Sequence, residues 1–378
     1  MKIVFLLDWH LYYSVHLANA LVENHHVLLI TRDHNYEISS DDQAVNLDAF
    51  LDECLDKRII REKLRYRRGN LKNFFELGRV FRTIRAFDPD IIHIQENSDW
   101  RIFWLAKAFG FDKTVLTIHD VAAHPGDRRK RRLRMLPSSL IYELARIKAR
   151  RIIVHGDYLK KQLISISKKF ENRVSVVPHG ILSIFKNWDD EIVNEEKNTI
   201  LFFGRISRYK GIDILIKAQP LISKEIPKAK IIIAGKGREK DFAVYESLME
   251  DKSSFEIHYE FIPHAEVQRF FRRASVVVLP YVEASQSGVV AVAYVFGKPV
   301  VVTHVGSIPE VVDHGKTGFI VPPRDPEALA KALVEILKNQ DLRETMGKNA
   351  LAKAETELSW TAIAKKTTEI YELIQSQA

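Results

Sequence analysis

Short apolar runs alternate with longer amphipathic stretches along this chain; the alternation runs through once, stops at a polar segment, and starts again. Residues 3–7, 27–31, 91–95, 114–118, 151–154 and 174–177 read as buried strands, with helical stretches such as 16–24, 71–87 and 138–149 between them. A second set of strands follows at 199–203, 230–234, 255–259, 275–279, 299–303 and 318–321. A strand that returns parallel to its neighbour needs a long crossover, and a helix supplies it, so the pattern demands parallel sheets covered on both faces. The chain is therefore expected to be α/β, with two doubly wound domains in tandem and ligands beyond the C-terminal ends of the strands. Residues 186–197 (KNWDDEIVNEEK) carry no strand pattern, which sets the domains at 1–188 and 189–358. The tail, 359–378, reads as one helix that can cross back to pack on the first domain.

At 378 residues there is material for two ordinary cores. The opening MKIVFLLD stops its apolar run at Asp8, too soon for a signal peptide or a membrane span, and no later run reaches spanning length without a charge. Cys54 is the only cysteine, which excludes an internal disulfide and a cysteine zinc site; a reducing, cytoplasmic compartment is the simplest reading. The net charge of +8 is uneven: residues 1–188 carry roughly +10 and the remainder about −2. Two basic clusters stand out, 57–72 (KRIIREKLRYRRGNLK) and 128–134 (RRKRRLR). Solvated helix faces explain them as well as attraction to anionic lipid or an acidic acceptor does. Nucleic acid is not expected as a partner, since neither cluster sits in a reader motif.

The segment 279–323 is the richest in chemistry. Glu283 stands ahead of a small polar turn, Ser285 to Gly288, that opens an apolar helical segment ending at Gly297. A helix start leaves amides unpaired and carries partial positive charge, so Ser287, Gly288 and Val289 suit a phosphate while Glu283 suits hydroxyls. Upstream, strand 199–203 runs into Gly204, Arg205 and then Lys210, two cations on one loop at a strand end, which suits a diphosphate. Gly235 and Gly237 follow strand 230–234; a lone Gly-x-Gly reads equally as a tight turn. In the first half His119, Asp120 and His124 follow strand 114–118, and His93 and His179 occupy similar positions; each alone reads as well as a structural histidine.

In order, PDIIHIQ (89–95), TIHD (117–120), VVPHGI (176–181), FFGRISRYKG (202–211), IIIAGKG (231–237) and segment 279–323 resemble the retaining glycosyltransferases of family 4, glycosyl transferase group 1. The resemblance is weak before Pro89 and strong after Val174. It implies the GT-B architecture, two Rossmann-like domains facing across a cleft. The second would bind a UDP- or GDP-linked sugar through Gly204, Arg205, Lys210, Gly235, Gly237, Glu283, Ser287, Gly288 and Val289, and the first would bind a glycan or lipid-linked acceptor. By the same resemblance Arg205 and Lys210 hold the donor diphosphate, Glu283 contacts donor-sugar hydroxyls, His119 stands near the reacting centre, and Asp120 and His124 lie on the acceptor side. Arg205, Lys210 and the helix-start amides suit the charge of a leaving diphosphate, so neither a metal nor another cofactor is expected. The basic first domain would hold a lipid-linked acceptor's enzyme on the inner face of the cytoplasmic membrane.

Two departures from the family pattern stand out. A second glutamate that usually holds the nucleotide ribose is replaced by Ala291, or Val292 when counted back from Gly297. The usual glycine-rich turn after the first strand is replaced by DWHLYYS (8–14), whose Trp9, Tyr12 and Tyr13 suit sugar stacking or plain packing. Rival readings are a phosphorylase or epimerase on the same fold, and a degenerate non-catalytic subunit that binds sugars or partners.

Overall fold

The computed structural model describes residues 1–7, 9–32, 47–67, 69–96, 99–121, 136–186, 193–237 and 239–377. They form two compact units: one holds the described residues up to Pro178 together with the last helix, and the other runs from His179 to Ser359.

The first unit is built on a parallel sheet of β1 (Lys2–Leu7), β2 (His26–Arg32), β3 (Ile60–Leu64), β4 (Ile91–Gln95), β5 (Thr114–Ile118), β6 (Arg151–Val154) and β7 (Val174–Val176). Their order is β3-β2-β1-β4-β5-β6-β7. The order reverses between β1 and β4, which places the ligand crevice of a doubly wound sheet at the loops after those two strands. β4 and β5 are buried along their whole length, as strands covered on both faces must be. The last helix, Trp360–Gln375, packs on helix Leu11–Leu21, and Tyr371 reaches β4 from it.

β3 was not anticipated, because IREKL lies inside the basic cluster and has no apolar alternation. It is an edge strand, where charge discourages pairing with other chains. The cluster is accordingly less basic than it reads: Arg58 pairs with Glu23 and Asp56, Arg61 with Asp48 and Asp52, and Lys63 with Asp48.

The second unit repeats the plan with β8 (Thr199–Phe203), β9 (Lys230–Ala234), β10 (Phe255–His258), β11 (Val276–Leu279), β12 (Val300–Thr303) and β13 (Gly318–Val321), in the order β10-β9-β8-β11-β12-β13. Here the reversal falls between β8 and β11. The unit begins before residue 188: the Ile181 N–H donates to the Leu358 carbonyl at 3.1 Å, and Phe185 lies in this unit's core. The acidic end of the connection is also stitched in, since Glu196 accepts from Arg273 and Glu195 pairs with Lys298 and Arg343. Glu195 and Glu196, the end of a polar run that reads as a linker, are held here by ion pairs. His124, residues 128–134, Asp8 and residues 187–192 lie outside the described residues.

Candidate functional site

The loops after β8, β9, β11 and β12 converge at one edge of the second sheet. After β8 the chain turns at Gly204 (φ 114°), whose N–H donates to the Ala234 carbonyl, and the Ile206 N–H then donates to the Lys236 carbonyl. The loops after β8 and β9 run so close that a Cβ on Gly235 would stand 2.0 Å from the Gly204 carbonyl oxygen. Gly235 (φ 149°) and Gly237 thus have a loop-packing role that their sequence context left open.

A short turn, Arg208–Lys210, leads through Gly211 (φ 65°) into helix Ile212–Glu225. A Cβ on Gly211 would meet the Pro280 carbonyl oxygen at 1.9 Å, so this loop lies directly against the one after β11. The Tyr209 carbonyl accepts from the Val282 N–H at 2.8 Å and the Glu283 N–H at 3.4 Å. Lys210 Nζ sits 3.7 Å from the centroid of the buried Tyr281 ring, a cation–π contact that orients the ammonium. Burial pushes the Tyr281 phenol well above its usual range, so it stays a neutral hydroxyl, 3.3 Å from Ser287 Oγ. Lys210 and Glu283, far apart in the chain, are tied to one backbone carbonyl and its neighbour. Arg205 and the Glu283 side chain are both exposed, and neither has an ion-pair partner among the described residues.

Helix Gly288–Val295 starts as expected, but its Ser287 cap Oγ accepts from the Val289 N–H at 3.3 Å. That amide is engaged locally, which leaves Ser287 and Gly288 as the amides at the helix start. The loop after β12 closes against this segment: the Ser307 N–H donates to the Ser285 carbonyl, and a Cβ on Gly306 (φ 57°) would clash with the Ala284 carbonyl at 2.0 Å. Ala291 and Val292 are both buried in the core, so no solvent-facing group takes the place of the family's second glutamate at either position.

Three polar atoms here carry no signal in the sequence. Ser207 Oγ, Gln286 Oε1 and Ser307 Oγ are buried and lack a hydrogen-bond partner. They come from the loops after β8, β11 and β12. Buried polar groups are almost always satisfied, so orphans gathered at one sheet edge mark a place where a ligand or water completes the bonding. A groove of about 470 Å³ adjoins these loops, lined by Arg208, Asp213, Lys217, Tyr245, Val282 and Arg324 among others; Arg205, Lys210 and Glu283 are not in its lining.

The crevice of the first sheet is lined with histidines. His10 follows β1 and Glu96 follows β4, on the two sides of the reversal; their side chains meet at 2.8 Å, and both backbones are left-handed (φ 61° and 51°). That conformation costs non-glycine residues about 1–2 kcal/mol each, and surrounding contacts must hold it. The His10 ring stacks on His119 at 3.5 Å, and His119 Nδ1 lies 3.1 Å from His155 Nε2. His155 Nδ1 meets the Val177 carbonyl at 2.9 Å and must donate there. Neutral His155 therefore accepts at Nε2, His119 donates from Nδ1, and neutral His119 keeps an acceptor at Nε2.

Of the histidines singled out in the sequence, His119 joins this cluster, but it is fully buried beneath His10. His93 is structural: fully buried, it bonds Thr117 and Tyr371, and burial lowers its pKa to about 3. His179 Nδ1 lies 2.7 Å from the Gly180 carbonyl oxygen in the second unit, and Asp120 offers its carbonyl to Tyr142. Tyr12 and Tyr13 are packing residues: Tyr12 meets Phe50 edge-on, and buried Tyr13 packs on His119, His155 and Trp360. His10, Glu96 and His155 were missed. Only their positions just after apolar strands pointed to them.

Residues 12–181 match the model of Glycosyltransferase Family 4, and residues 184–353 match that of Glycosyl transferases group 1. Among curated proteins, the chain is 31% identical over 236 residues to an uncharacterized glycosyltransferase of Methanocaldococcus jannaschii, covering 59% of this chain and 60% of that one. It is 30% identical over 235 residues to the D-inositol 3-phosphate glycosyltransferase of Paenarthrobacter aurescens, covering 59% of this chain and 57% of that one. The alignments with these two thus span less than two thirds of either relative. The Anabaena protein HepE, solved in complex with UDP and glucose, superposes with a TM-score of 0.67 at 18% identity over 98% of this chain and 99% of that one. Two Rossmann-like units, each with its own family match in succession, place this chain in the group 1 glycosyltransferases of GT-B architecture.

Proposed function

We propose that the protein transfers a sugar from a nucleoside-diphosphate sugar to a hydroxyl of a glycan or lipid-linked acceptor, retaining the anomeric configuration. One observation carries the reading: Lys210, seated on Tyr281, and Glu283 share the Tyr209 turn at the point where the second sheet reverses, among three unsatisfied buried polar atoms. Arg205, Lys210 and the Ser287 and Gly288 amides are suited to the charge that builds on a leaving diphosphate, so no metal is needed for that task. Glu283 takes the sugar hydroxyls. Gln286 Oε1, an acceptor with no partner, is the candidate for a ribose hydroxyl now that Ala291 and Val292 are buried. UDP is favoured over GDP by analogy with HepE, solved with UDP and glucose.

In the proposed step the acceptor oxygen bonds to the anomeric carbon as that carbon's bond to the diphosphate breaks. The acceptor proton passes to the departing phosphate oxygen. The His10, Glu96 and His119 cluster, at the reversal of the first sheet, is the proposed place where the acceptor hydroxyl is oriented.

The test supplies UDP- and GDP-sugars with candidate acceptors and follows the anomeric proton of the product by NMR. A retained product from wild type, with Glu283→Gln slower by about tenfold to a hundredfold, supports the reading. Inverted product refutes retention. Equal Glu283→Gln turnover removes that residue's role, and turnover on free phosphate instead would make the protein a phosphorylase.

A further inference from the structure

After β3 the chain crosses residues 65–72 into helix Asn73–Phe87, and there it exposes side chains that a soluble surface normally hides. Leu71 is 80% exposed, Phe74 70% and Phe75 85%. The Phe74 ring lies 6.5 Å from Trp100 on helix Trp100–Phe109, and Trp104, one turn further along, is 52% exposed beneath the Lys107 ammonium at 4.3 Å. Scattered exposed apolar residues need no explanation, but a contiguous aromatic patch does.

The exposure is built in rather than the fraying of a loose loop. Arg101, fully buried, donates to the Asp99 carboxylate, to the Tyr66 carbonyl at 2.5 Å and to Asn73 Oδ1 at 2.9 Å. Asn73 Nδ2 in turn donates to the Arg67 carbonyl, and buried Glu76 accepts from the Arg65 N–H at 2.7 Å. The loop is thus clamped from below on both sides of Leu71, and the clamp leaves the apolar tips outside.

Along this stretch the exposed charges of the described residues are of one sign. Between Leu64 and Phe87 the only acid is Glu76, which is buried in the clamp. Arg65, Arg67, Lys72, Arg82 and Arg85 are exposed, and none has an ion-pair partner among the described residues. The nearby cations on the β3 side, Arg58, Arg61 and Lys63, are neutralised by acids, so the excess is concentrated where the apolar tips are.

We infer that this patch is a membrane-insertion wedge: Leu71, Phe74 and Phe75 enter the headgroup and acyl boundary of a bilayer while the surrounding Arg and Lys side chains bind anionic lipid phosphates. Leu and Phe tips this exposed call for hydrocarbon, which neither a glycan nor a nucleic acid provides, and the one-sided charge selects an acidic lipid surface. No helix among the described residues is long and apolar enough to cross a membrane, so the attachment is to one leaflet. The inference gives the proposed lipid-linked acceptor its surface, but the wedge stands or falls independently of sugar transfer.

The experiment sediments the full chain with vesicles of neutral phosphatidylcholine, and with vesicles in which a third of the lipid is phosphatidylglycerol. Wild type should bind the anionic vesicles, bind the neutral ones much more weakly, and release with added salt. Phe74→Ser with Phe75→Ser should weaken anionic-vesicle binding by about tenfold or more. Arg67→Glu with Lys72→Glu should remove the preference for anionic lipid. Both double variants should keep wild-type melting temperature and UDP binding, which separates loss of the wedge from loss of the fold or of the donor site. Binding by the serine variant equal to wild type overturns the inference, as does failure of wild type to bind either vesicle. A change from dimer to monomer in the serine variant, with vesicle binding unaltered, would make the patch a self-association surface instead.

Discussion

The two sheet edges are assembled in opposite ways from the same architecture. In the second unit the chemistry comes in long contiguous blocks: Gly204 to Gly211 on one loop and Pro280 to Gly288 on another, laid so close that Gly211 has no room for a Cβ. In the first unit single residues are drawn from strand ends spread over much of the chain, His10, Glu96, His119 and His155, and ring stacking and imidazole hydrogen bonds join them. A diphosphate presents much the same oxygens whatever sugar it carries, so a block of loop sequence can specialise in it. An acceptor site has no such common handle, and point residues at a sheet reversal let it vary without rebuilding a loop.

The contrast breaks most visibly at Lys210. Lys210→Ala should lower kcat/KM by about a hundredfold to a thousandfold, because the proposed reading sets this cation, seated on Tyr281, against the leaving diphosphate. A loss below threefold would show that the block does not carry the donor. Gly235→Ala forces a Cβ into the Gly204 carbonyl, so the loops must separate; UDP affinity should fall by about tenfold to a hundredfold, with acceptor-side variants unaffected in that assay.

On the other edge, His10→Gln and Glu96→Gln should each lower kcat by about tenfold with acceptor saturating, and leave UDP affinity unchanged. If either variant weakens UDP binding as Lys210→Ala does, the division of labour between the edges is wrong.

An effect of a different kind is on stability in acid. Burial holds His93 near 3 and His16 near 4, both neutral in the folded state and both with an unfolded value near 6.5. Above pH 6.5 neither group affects stability. As pH falls below 6.5 the unfolded chain takes up protons that the folded one refuses, and each group costs about 1.4 kcal/mol per pH unit until its folded value is reached. Both lie in the first unit, so hydrogen exchange at pH 5 should show that unit opening before the second. Equal protection of both units at pH 7 and pH 5 would count against it.

Much of this was legible in the sequence, and the limits have physical causes. Strands such as VVVL and IIIA announce themselves because both faces are buried, and their boundaries hold to within a residue or so. β3 does not, because an edge strand made of IREKL satisfies charge pairs instead of a core. Glu283, Arg205 and Lys210 were visible as chemistry at strand ends. The placement of Glu283 beside Lys210 depends on the Tyr209 carbonyl, which carries no side-chain signal. His10 carries no such signal: a histidine adopts the left-handed backbone after the first strand and is held there by Glu96 and His119. Tyr12 and Tyr13 beside it are packing residues, Tyr12 against Phe50 and Tyr13 within the histidine cluster.

The central claim is that the edge of the second sheet is a nucleoside-diphosphate site, and calorimetric titration of wild type, Arg205→Ala and Lys210→Ala with UDP tests it most directly. The account predicts saturable one-to-one binding by wild type, weakened by about tenfold or more in each variant. Absence of UDP and GDP binding by wild type, or equal affinity in all three proteins, would contradict it.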